Sequence, residues 1–303
     1  MFNDFSFIEA QKEMETKDDS LRNTLTELFG TGDFTLRPVS GGDINRAFKL
    51  QVNGQIIFMK ANKAENLAFF SAETAGLSAI RSTKTVRVPE TVAMGRDHQY
   101  GAFLLLEWCQ GSQKKDFYEN FGHNLAAMHK ADTSGTIKGF GFPEDNFIGA
   151  GEQDNTPEDS WVVFFRDHRL RPQFEKAVPW FDNSDRKRIE RLLDHMEDYL
   201  PEPDFPSLLH GDLWGGNYIT GNDGEAWLID PAVYIGHFEA DLAMTELFGG
   251  FPQRFYGAYN EINQIDPNYI NRRNLYNLYH LLNHLNLFGG GYLSSVRNVL
   301  ERY

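Results

Sequence analysis

Two aspartates and an asparagine stand in the order that phosphoryl transfer requires. Asp212 precedes Asn217 by five residues, and Asp230 follows after a short hairpin's length of chain. This is the spacing of a kinase catalytic loop followed by a metal-binding aspartate. We predict that Asp212 accepts the proton of a substrate hydroxyl. Asn217 and Asp230 are predicted to hold Mg²⁺ against the nucleotide phosphates, because this ion prefers hard oxygen ligands.

Loop carboxylates and a turn asparagine also occur in proteins without this chemistry. The kinase interpretation is favoured because three residue types fall at the required offsets together. The apolar run at 207–209 predicts a buried strand before the loop, and Gly211, Gly215 and Gly216 permit tight turns. Segments 217–220 and 226–229 alternate around a turn at Asp223-Gly224. The resulting hairpin would bring Asn217 and Asp230 to one metal cluster.

The amino-terminal part predicts a sheet that carries phosphate-binding groups. Gly41 and Gly42 lie in a turn between strands, where backbone N–H groups could cover phosphates. Lys60 ends the third strand of a meander and could neutralise the α and β phosphates. Glu73, in the middle of the helix predicted at 65–81, is the better candidate to hold that lysine. Glu65 is the alternative, but a carboxylate in the first turn of a helix is more often solvated.

The order of the predicted elements indicates an α+β class with a two-lobed, protein-kinase-like fold. A small antiparallel-sheet lobe spans residues 1–109, and a larger, mostly helical lobe spans residues 110–303. Its helices are predicted at 114–130, 161–176, 184–200, 239–247, 252–262, 267–287 and 292–302.

Composition excludes several classes of protein. The chain has 303 residues, of which 41% are hydrophobic and 14% aromatic, as in a globular protein. The net charge of −14 argues against nucleic acid or an anionic membrane as the main partner. This negative charge either favours cationic amine substrates or only keeps the protein in solution. Cys109 is the single cysteine, and no apolar run is long enough to span a bilayer. With an acidic N-terminus that lacks a signal sequence, these features predict a cytoplasmic enzyme.

Several segments together resemble the fructosamine kinases, also called ketosamine-3-kinases, which are similar to the aminoglycoside and choline phosphotransferases. The most specific is Asp-Leu-Trp-Gly-Gly-Asn at 212–217, since aminoglycoside-type enzymes usually lack its Trp-Gly-Gly part. Asp-Asn-Phe-Ile-Gly at 145–149 and Asn-His-x-Asn-x-Phe-Gly at 283–289 agree with it. Further matching segments lie at 41–45, 58–60, 72–77, 87–89, 122–129, 139–142, 230–232, 236–244 and 247–251.

The resemblance implies transfer of the ATP γ-phosphate to the 3-hydroxyl of a ketosamine, a sugar adduct on a small amine or a protein lysine. The phosphorylated adduct is unstable, which links the family to deglycation. One departure is Asp43, which follows the two glycines where many eukaryotic relatives carry a third glycine and a cysteine. Redox control through a cysteine in that loop is therefore not expected.

The remaining candidate residues carry open alternatives. Trp214 either stacks on a sugar or plugs the loop, and Asp145 and Asn146 either line the acceptor pocket or form a turn. The resemblance makes His284 a substrate contact. Glu107 and Cys109 would offer backbone groups to adenine. His210 and Asp241 are expected to support the catalytic loop, Asp241 by accepting its backbone N–H groups.

Two other functions stay open at this point. One is a phosphotransferase acting on an aminoglycoside or an amino alcohol such as choline. The other is a non-catalytic, nucleotide-binding pseudokinase. The intact set of charged residues argues against the second.

Overall fold

The computed structural model describes residues 20–39 and 45–303. The chain forms two compact units. One contains the chain up to Ala75 together with Pro89–Gln110, and the other contains Gly76–Val88 together with Gly111–Tyr303. The predicted domain boundary after residue 109 stays a prediction.

The first unit is built on a five-stranded antiparallel sheet with the strand order β1-β2-β3-β5-β4. Its strands are β1 (Phe34–Pro38), β2 (Arg46–Val52), β3 (Gln55–Asn62), β4 (Thr91–Asp97) and β5 (Gly101–Glu107). Helix α1 (Leu21–Phe29) precedes the sheet, and helix α2 (Leu67–Ser82) follows β3.

Strands β2 and β3 are joined by a tight turn. Asn53 and Gly54 both take a positive φ, of 46° and 76°, as a type I′ turn requires. The hairpin register pairs Val52 with Gln55 and continues to the far end of both strands. Lys60 therefore lies near the end of β3, as the sequence predicts.

One apolar cluster forms the core of the first unit. Its members come from α1 and from alternate positions of the central strands, which places one face of the sheet against the helix. They are Leu21, Leu25, Leu50, Val52, Ile57, Met59, Ala61, Phe103 and Leu105. Burying this face fixes the strand register, because a one-residue slip would turn these side chains to solvent.

The second unit is mostly helical. Its further α-helices are α3 (Phe117–His129), α4 (Trp161–Phe164), α5 (Arg171–Ala177), α6 (Asn183–Asp194), α7 (Glu239–Leu247), α8 (Gln253–Ile262), α9 (Tyr269–Phe288) and α10 (Leu293–Leu300). Three short antiparallel pairs carry the loops between these helices. They are β6 (Asn146–Ile148) with β7 (Gly151–Gln153), β8 (Ser207–Leu209) with β11 (Tyr234–Gly236), and β9 (Tyr218–Thr220) with β10 (Ala226–Leu228).

The single helix predicted at 161–176 is corrected by the structure. Between α4 and α5 the chain forms a wider π-helical segment, Phe165–Leu170. This segment accompanies the burial of Arg169, whose guanidinium donates to the Asp154 carbonyl at 2.5 Å and to Asn155 Oδ1 at 2.6 Å. These long-range hydrogen bonds leave no trace in the local helical periodicity.

The α+β class is confirmed, with an antiparallel sheet in the amino-terminal region and helices in the carboxy-terminal region. In the part of the chain that the structure describes, no helix has the length and apolar character needed to cross a bilayer.

Candidate active site

Strand β8 leads directly into the predicted catalytic loop. Gly211 follows it with φ +82°, and a Cβ atom at this position would lie 2.0 Å from the carbonyl oxygen of Ala232. Both facts require glycine here, because other residues rarely adopt this φ and none could avoid the contact. The backbone therefore turns sharply at Gly211, directly before Asp212.

Asp212 and Asn217 are brought together, as their spacing predicts. Asn217 Nδ2 donates to the Asp212 carbonyl at 2.7 Å and to Asp212 Oδ2 at 2.9 Å. The Asn217 backbone N–H also bonds to the Trp214 carbonyl at 3.0 Å, which closes the loop on itself. With its amide group donating to Asp212, Asn217 keeps its side-chain oxygen as an acceptor, and this suits a metal ligand.

The β9–β10 hairpin carries Asp230 toward the same loop and confirms the predicted turn, where Gly224 has φ +78°. The Ile229 N–H donates to the Asn217 carbonyl at 3.0 Å, so the residue before Asp230 pairs with Asn217. Asp230 itself has φ +55°. Aspartate tolerates this left-handed conformation better than most residues do, but it still stores backbone strain.

Asp241 of α7 binds the backbone of the loop through its carboxylate. This confirms the supporting role predicted for Asp241. Asp241 Oδ2 accepts the His210 N–H at 2.6 Å, and Oδ1 accepts the Gly211 N–H at 2.9 Å. His129 of α3 lies 3.2 Å from Asp241 Oδ2 through Nε2 and 2.7 Å from the Tyr259 hydroxyl through Nδ1. Burial would raise the pKa of Asp241, but these hydrogen bonds and the nearby histidines hold it below its ordinary value.

His210 also supports the loop. Its Nε2 lies 2.9 Å from the Ile229 carbonyl, and its Nδ1 accepts the Asp212 N–H at 3.3 Å. Burial lowers the pKa of His210, which keeps the ring neutral. A neutral ring with Nε2–H donating and Nδ1 accepting fits both bonds.

The electrostatic surroundings of Asp212 suit a general base. Burial raises the pKa of Asp212 to about 7, the hydrogen bond from Asn217 opposes this, and the charges of Asp230 and Asp241 add to it. A base whose pKa lies near neutral pH combines adequate basicity with a large deprotonated fraction. The side chain is still 21% exposed, so an acceptor hydroxyl can reach it.

The first unit pairs the other two charged residues that the sequence singled out. Lys60 Nζ lies 2.6 Å from Glu73 Oε1, and both side chains are almost fully buried. Glu65, the alternative partner, is exposed in the turn before α2. Glu73 and not Glu65 is thus the partner of Lys60, and the binding of phosphates by this lysine stays a prediction.

We expect Glu73→Gln to weaken ATP binding at least about tenfold, or about 1.4 kcal/mol. The neutral amide removes the carboxylate that pairs with the buried Lys60 ammonium, so the lysine is oriented less well for the phosphates. Titration of nucleotide binding on the purified variant measures the effect. Glu65→Gln is the matched control and should bind ATP like the wild type. Equal affinities for all three proteins would remove Glu73 from this role.

The other predicted nucleotide contacts are less defined. Gly41 and Gly42 lie outside the described residues. Glu107 ends β5, and its backbone N–H bonds to the Glu90 carbonyl at 2.8 Å. Cys109 follows, with its Sγ 3.6 Å from the Glu107 carbonyl. Backbone contacts of Glu107 and Cys109 with adenine stay a prediction.

Trp214 belongs to a chain of aromatic rings in the second unit. Its ring lies 6.2 Å from Phe248, which lies 5.0 Å from His284, and His284 lies 5.4 Å from Phe288 and 5.1 Å from Tyr292. We call these five residues the aromatic patch. Trp214 and Phe248 are each 39% exposed. Trp214 is therefore not a buried plug, and the patch joins it to His284. Contact of either residue with a substrate stays a prediction.

Asp145 and Asn146 lie at a separate cavity of ≈ 470 Å³. Asn146 is buried, and its side chain bonds to the Val233 carbonyl and to Gln153, each at 2.7 Å. Asp145 Oδ1 accepts the Asn155 N–H at 2.8 Å. These bonds hold the β6–β7 hairpin in place, and contact with an acceptor stays a prediction for both residues.

Sequence reasoning missed two residues near the site. Phe248 connects Trp214 to His284, and His280 of α9 lies 4.0 Å from Asp212 Oδ1 through its Nδ1. The four-residue spacing of His280 and His284 on a predicted helix was a signal that both rings share one face.

The metal-ligand set is small. Among the described residues, no group of three or more histidine, cysteine, aspartate or glutamate side chains could hold a metal ion. The predicted pair of metal ligands, Asn217 and Asp230, stays a prediction. A Mg²⁺ ion bound there would take its remaining ligands from phosphate oxygens and water.

Comparison with known proteins agrees with this geometry. The sequence profile described as fructosamine kinase matches residues 16–303. The chain is 42% identical over 269 residues to a probable ketoamine kinase of Synechocystis sp., covering 88% of this chain and 89% of that protein. It is 37% identical to a chloroplastic protein-ribulosamine 3-kinase of Arabidopsis thaliana, covering 92% and 85%.

Solved structures are also similar. A candidate fructosamine-3-kinase from Thermobifida fusca superposes with a TM-score of 0.80 at 31% identity, covering 93% of this chain and 97% of that one. An aminoglycoside phosphotransferase in complex with ADP and hygromycin B has a TM-score of 0.62 at 19% identity, covering 94% and 96%. The second similarity concerns the fold alone.

Proposed function

Because the chain belongs to the fructosamine kinase family, we propose that it is an ATP-dependent kinase that phosphorylates the 3-hydroxyl of ketosamines. The acceptors are ribulosamine or fructosamine adducts of small amines or protein lysines, and the reaction serves deglycation. The observation that carries the proposal is the loop in which Asn217 holds the Asp212 carboxylate at 2.9 Å. An acceptor hydroxyl at Asp212 would meet a carboxylate that Asn217 already holds through one oxygen.

The residues divide the chemistry between them. Asp212 takes the proton of the 3-hydroxyl while that oxygen attacks the γ-phosphorus, and the bond to the β–γ bridging oxygen breaks to release ADP. Lys60, held by Glu73, binds the α and β phosphates. Asn217 and Asp230 are the protein ligands for Mg²⁺, which when bound would neutralise charge on the phosphates.

The proposed binding site for the ketosamine acceptor is the aromatic patch. A sugar ring can stack on the exposed face of Trp214, two residues after Asp212. Aromatic faces also attract a cationic amine, and the net charge of −14 acts in the same direction. Phe248 and His284 extend this surface away from the loop and could contact the amine-bearing part of the acceptor.

An aminoglycoside or choline kinase is the rival enzyme, since an aminoglycoside phosphotransferase shares the fold. A pseudokinase is the rival outside catalysis. The Lys60–Glu73 pair and the Asp212–Asn217 contact argue against a pseudokinase, because binding alone does not require a general base.

We expect lysine adducts of ribose to be phosphorylated with a higher kcat/KM than the matched adducts of glucose. A tenfold ratio needs only about 1.4 kcal/mol of differential transition-state binding, which a clash with one extra carbon could supply. Kinetics of ADP release with both adducts measure this, with kanamycin and choline as outgroups. A higher value for kanamycin or choline than for both adducts would contradict the ketosamine assignment, whereas a higher value for the glucose adduct would contradict only the preference.

If ATP binds but no acceptor is turned over, the pseudokinase alternative is correct. Omission of Mg²⁺ from the same assay tests the proposed metal requirement. Glycated protein in place of the free lysine adduct then tests which form is the better acceptor. A cytoplasmic location also stays a prediction.

A further inference from the structure

Helix α9 places a buried imidazole beside Asp212. His280 is 4% exposed, and its Nδ1 is fully buried with no hydrogen-bond partner among the described residues. Nδ1 lies 4.0 Å from Asp212 Oδ1. A hydrogen bond between nitrogen and oxygen is about 1 Å shorter, so these atoms face each other without yet being bonded.

The surroundings of His280 make it a neutral group. Burial lowers the pKa of His280 to about 3, and the charges of His284 and Arg169 act in the same direction, opposed by Asp241. A neutral imidazole carries one ring proton and can donate a single hydrogen bond. The ring lies edge-on to the Tyr279 ring, with 5.1 Å between the ring centres, and the backbone carbonyl of His280 is 2.8 Å from His284 Nδ1.

Among the described residues, Asn217 is the one side-chain hydrogen-bond donor to the Asp212 carboxylate. Oδ2 accepts from Asn217, whereas Oδ1 faces His280. One hydrogen bond leaves the carboxylate plane able to rotate, because the terminal torsion of aspartate is broad. A second bond, on the other oxygen, would fix that plane.

We propose that His280 is a positioning residue, whose Nδ1–H donates to Asp212 Oδ1 in the catalytically competent state and fixes the carboxylate plane. Together with Asn217, it then aims a remaining lone pair of the carboxylate at the acceptor hydroxyl. This role rests on the proposed kinase function, in which Asp212 is the base. In that state the two atoms must approach each other by about 1 Å from their present 4.0 Å.

A purely structural role explains the residue less well. A buried polar atom without a partner costs about 1–3 kcal/mol, so packing alone would be served better by an apolar side chain of similar size. The cost is justified if the nitrogen finds its partner during the reaction.

The test compares three variants of His280 with one control. We expect His280→Leu to lower kcat by about 10- to 100-fold, because loss of orientation by about 1 Å has effects of this size. The KM for ATP should stay unchanged, since the proposed role of His280 concerns the orientation of Asp212 and not the binding of nucleotide. His280→Asn carries its amide nitrogen near the position of Nδ1 and should restore most of the rate. His280→Gln carries it near Nε2 and should not.

Tyr276→Phe is the matched control, because Tyr276 lies one turn earlier on α9 and also has a buried hydroxyl without a partner among the described residues. It should keep the wild-type kcat. The role is overturned if His280→Leu is as fast as the wild type, or if the Asn and Gln variants have equal rates. The Asn and Gln comparison decides the matter even if the Leu variant does not fold.

Each variant is assayed both with the ribose–lysine adduct and for slow ATP hydrolysis with water as acceptor. If the wild type hydrolyses ATP but ignores ketosamines, the substrate assignment fails, whereas the rate ratios for hydrolysis still test His280. If the wild type does neither, the kinase function fails and the role of His280 fails with it.

Discussion

Asp212→Asn is expected to lose about 10²- to 10⁴-fold in kcat, the usual contribution of general-base assistance. Nucleotide binding should be retained, because the variant keeps a side-chain oxygen that can accept from Asn217 as Asp212 Oδ2 does at 2.9 Å. The loop geometry is then preserved while the basic oxygen is lost. Single-turnover kinetics with the ribose–lysine adduct, beside calorimetric titration of MgATP, separate the two effects.

Asp223→Asn is the control for this substitution. Asp223 lies in the turn between β9 and β10. Its Oδ1 accepts hydrogen bonds from Trp227 Nε1 at 2.9 Å and from the Glu225 N–H at 3.1 Å. An asparagine oxygen can accept both bonds, so this variant should keep its activity. An unchanged kcat in the Asp212 variant would remove Asp212 from the role of base, whatever the control shows.

Asp230→Gly should abolish the Mg²⁺ dependence of nucleotide binding, with an affinity for MgATP reduced by about two orders of magnitude, or about 2.7 kcal/mol. Glycine is the informative replacement because Asp230 has φ +55°, a conformation that glycine adopts without strain. Asp230→Ala removes the same carboxylate but adds backbone strain. Titration of Mg²⁺ at fixed ATP gives the metal dependence for both variants.

Thermal unfolding of the Asp230 variants without nucleotide completes the comparison. The alanine variant should be less stable than the glycine variant, since only alanine is strained at this φ. Both should bind MgATP equally poorly if the carboxylate is a metal ligand. A metal dependence like that of the wild type in the glycine variant would assign Asp230 a structural role instead.

The sequence predicts the catalytic loop well because its chemistry depends on short-range spacing. Five residues separate Asp212 from Asn217, and a two-stranded hairpin turning at Gly224 brings Ile229, the neighbour of Asp230, back to Asn217. Turn residues and alternating strands are local signals, so this geometry can be inferred without knowledge of the tertiary fold. The pairing of Lys60 with Glu73 was similarly accessible, since the helix follows the strand directly.

Contacts between distant segments were not accessible in the same way. His129 meets Asp241 across 112 residues, and His280 reaches Asp212 from a helix whose rotation is set by packing. The side chain of Asn146 donates to the Val233 carbonyl, 87 residues away in the sequence. From the sequence alone, Asn146 was predicted only to form a turn or to line the acceptor pocket. Such contacts depend on how helices pack, and a single sequence carries no direct signal of that.

The three hydrogen bonds to Asp241 have a consequence for the thermodynamics of substrate binding. They join the loop backbone at His210 and Gly211 to α7 and α3 in the protein without any ligand. The conformational entropy of ordering this part of the loop has then already been lost during folding, so it does not reduce the affinity for substrate. Asp241 thus preorganises the backbone next to Asp212 before the acceptor arrives.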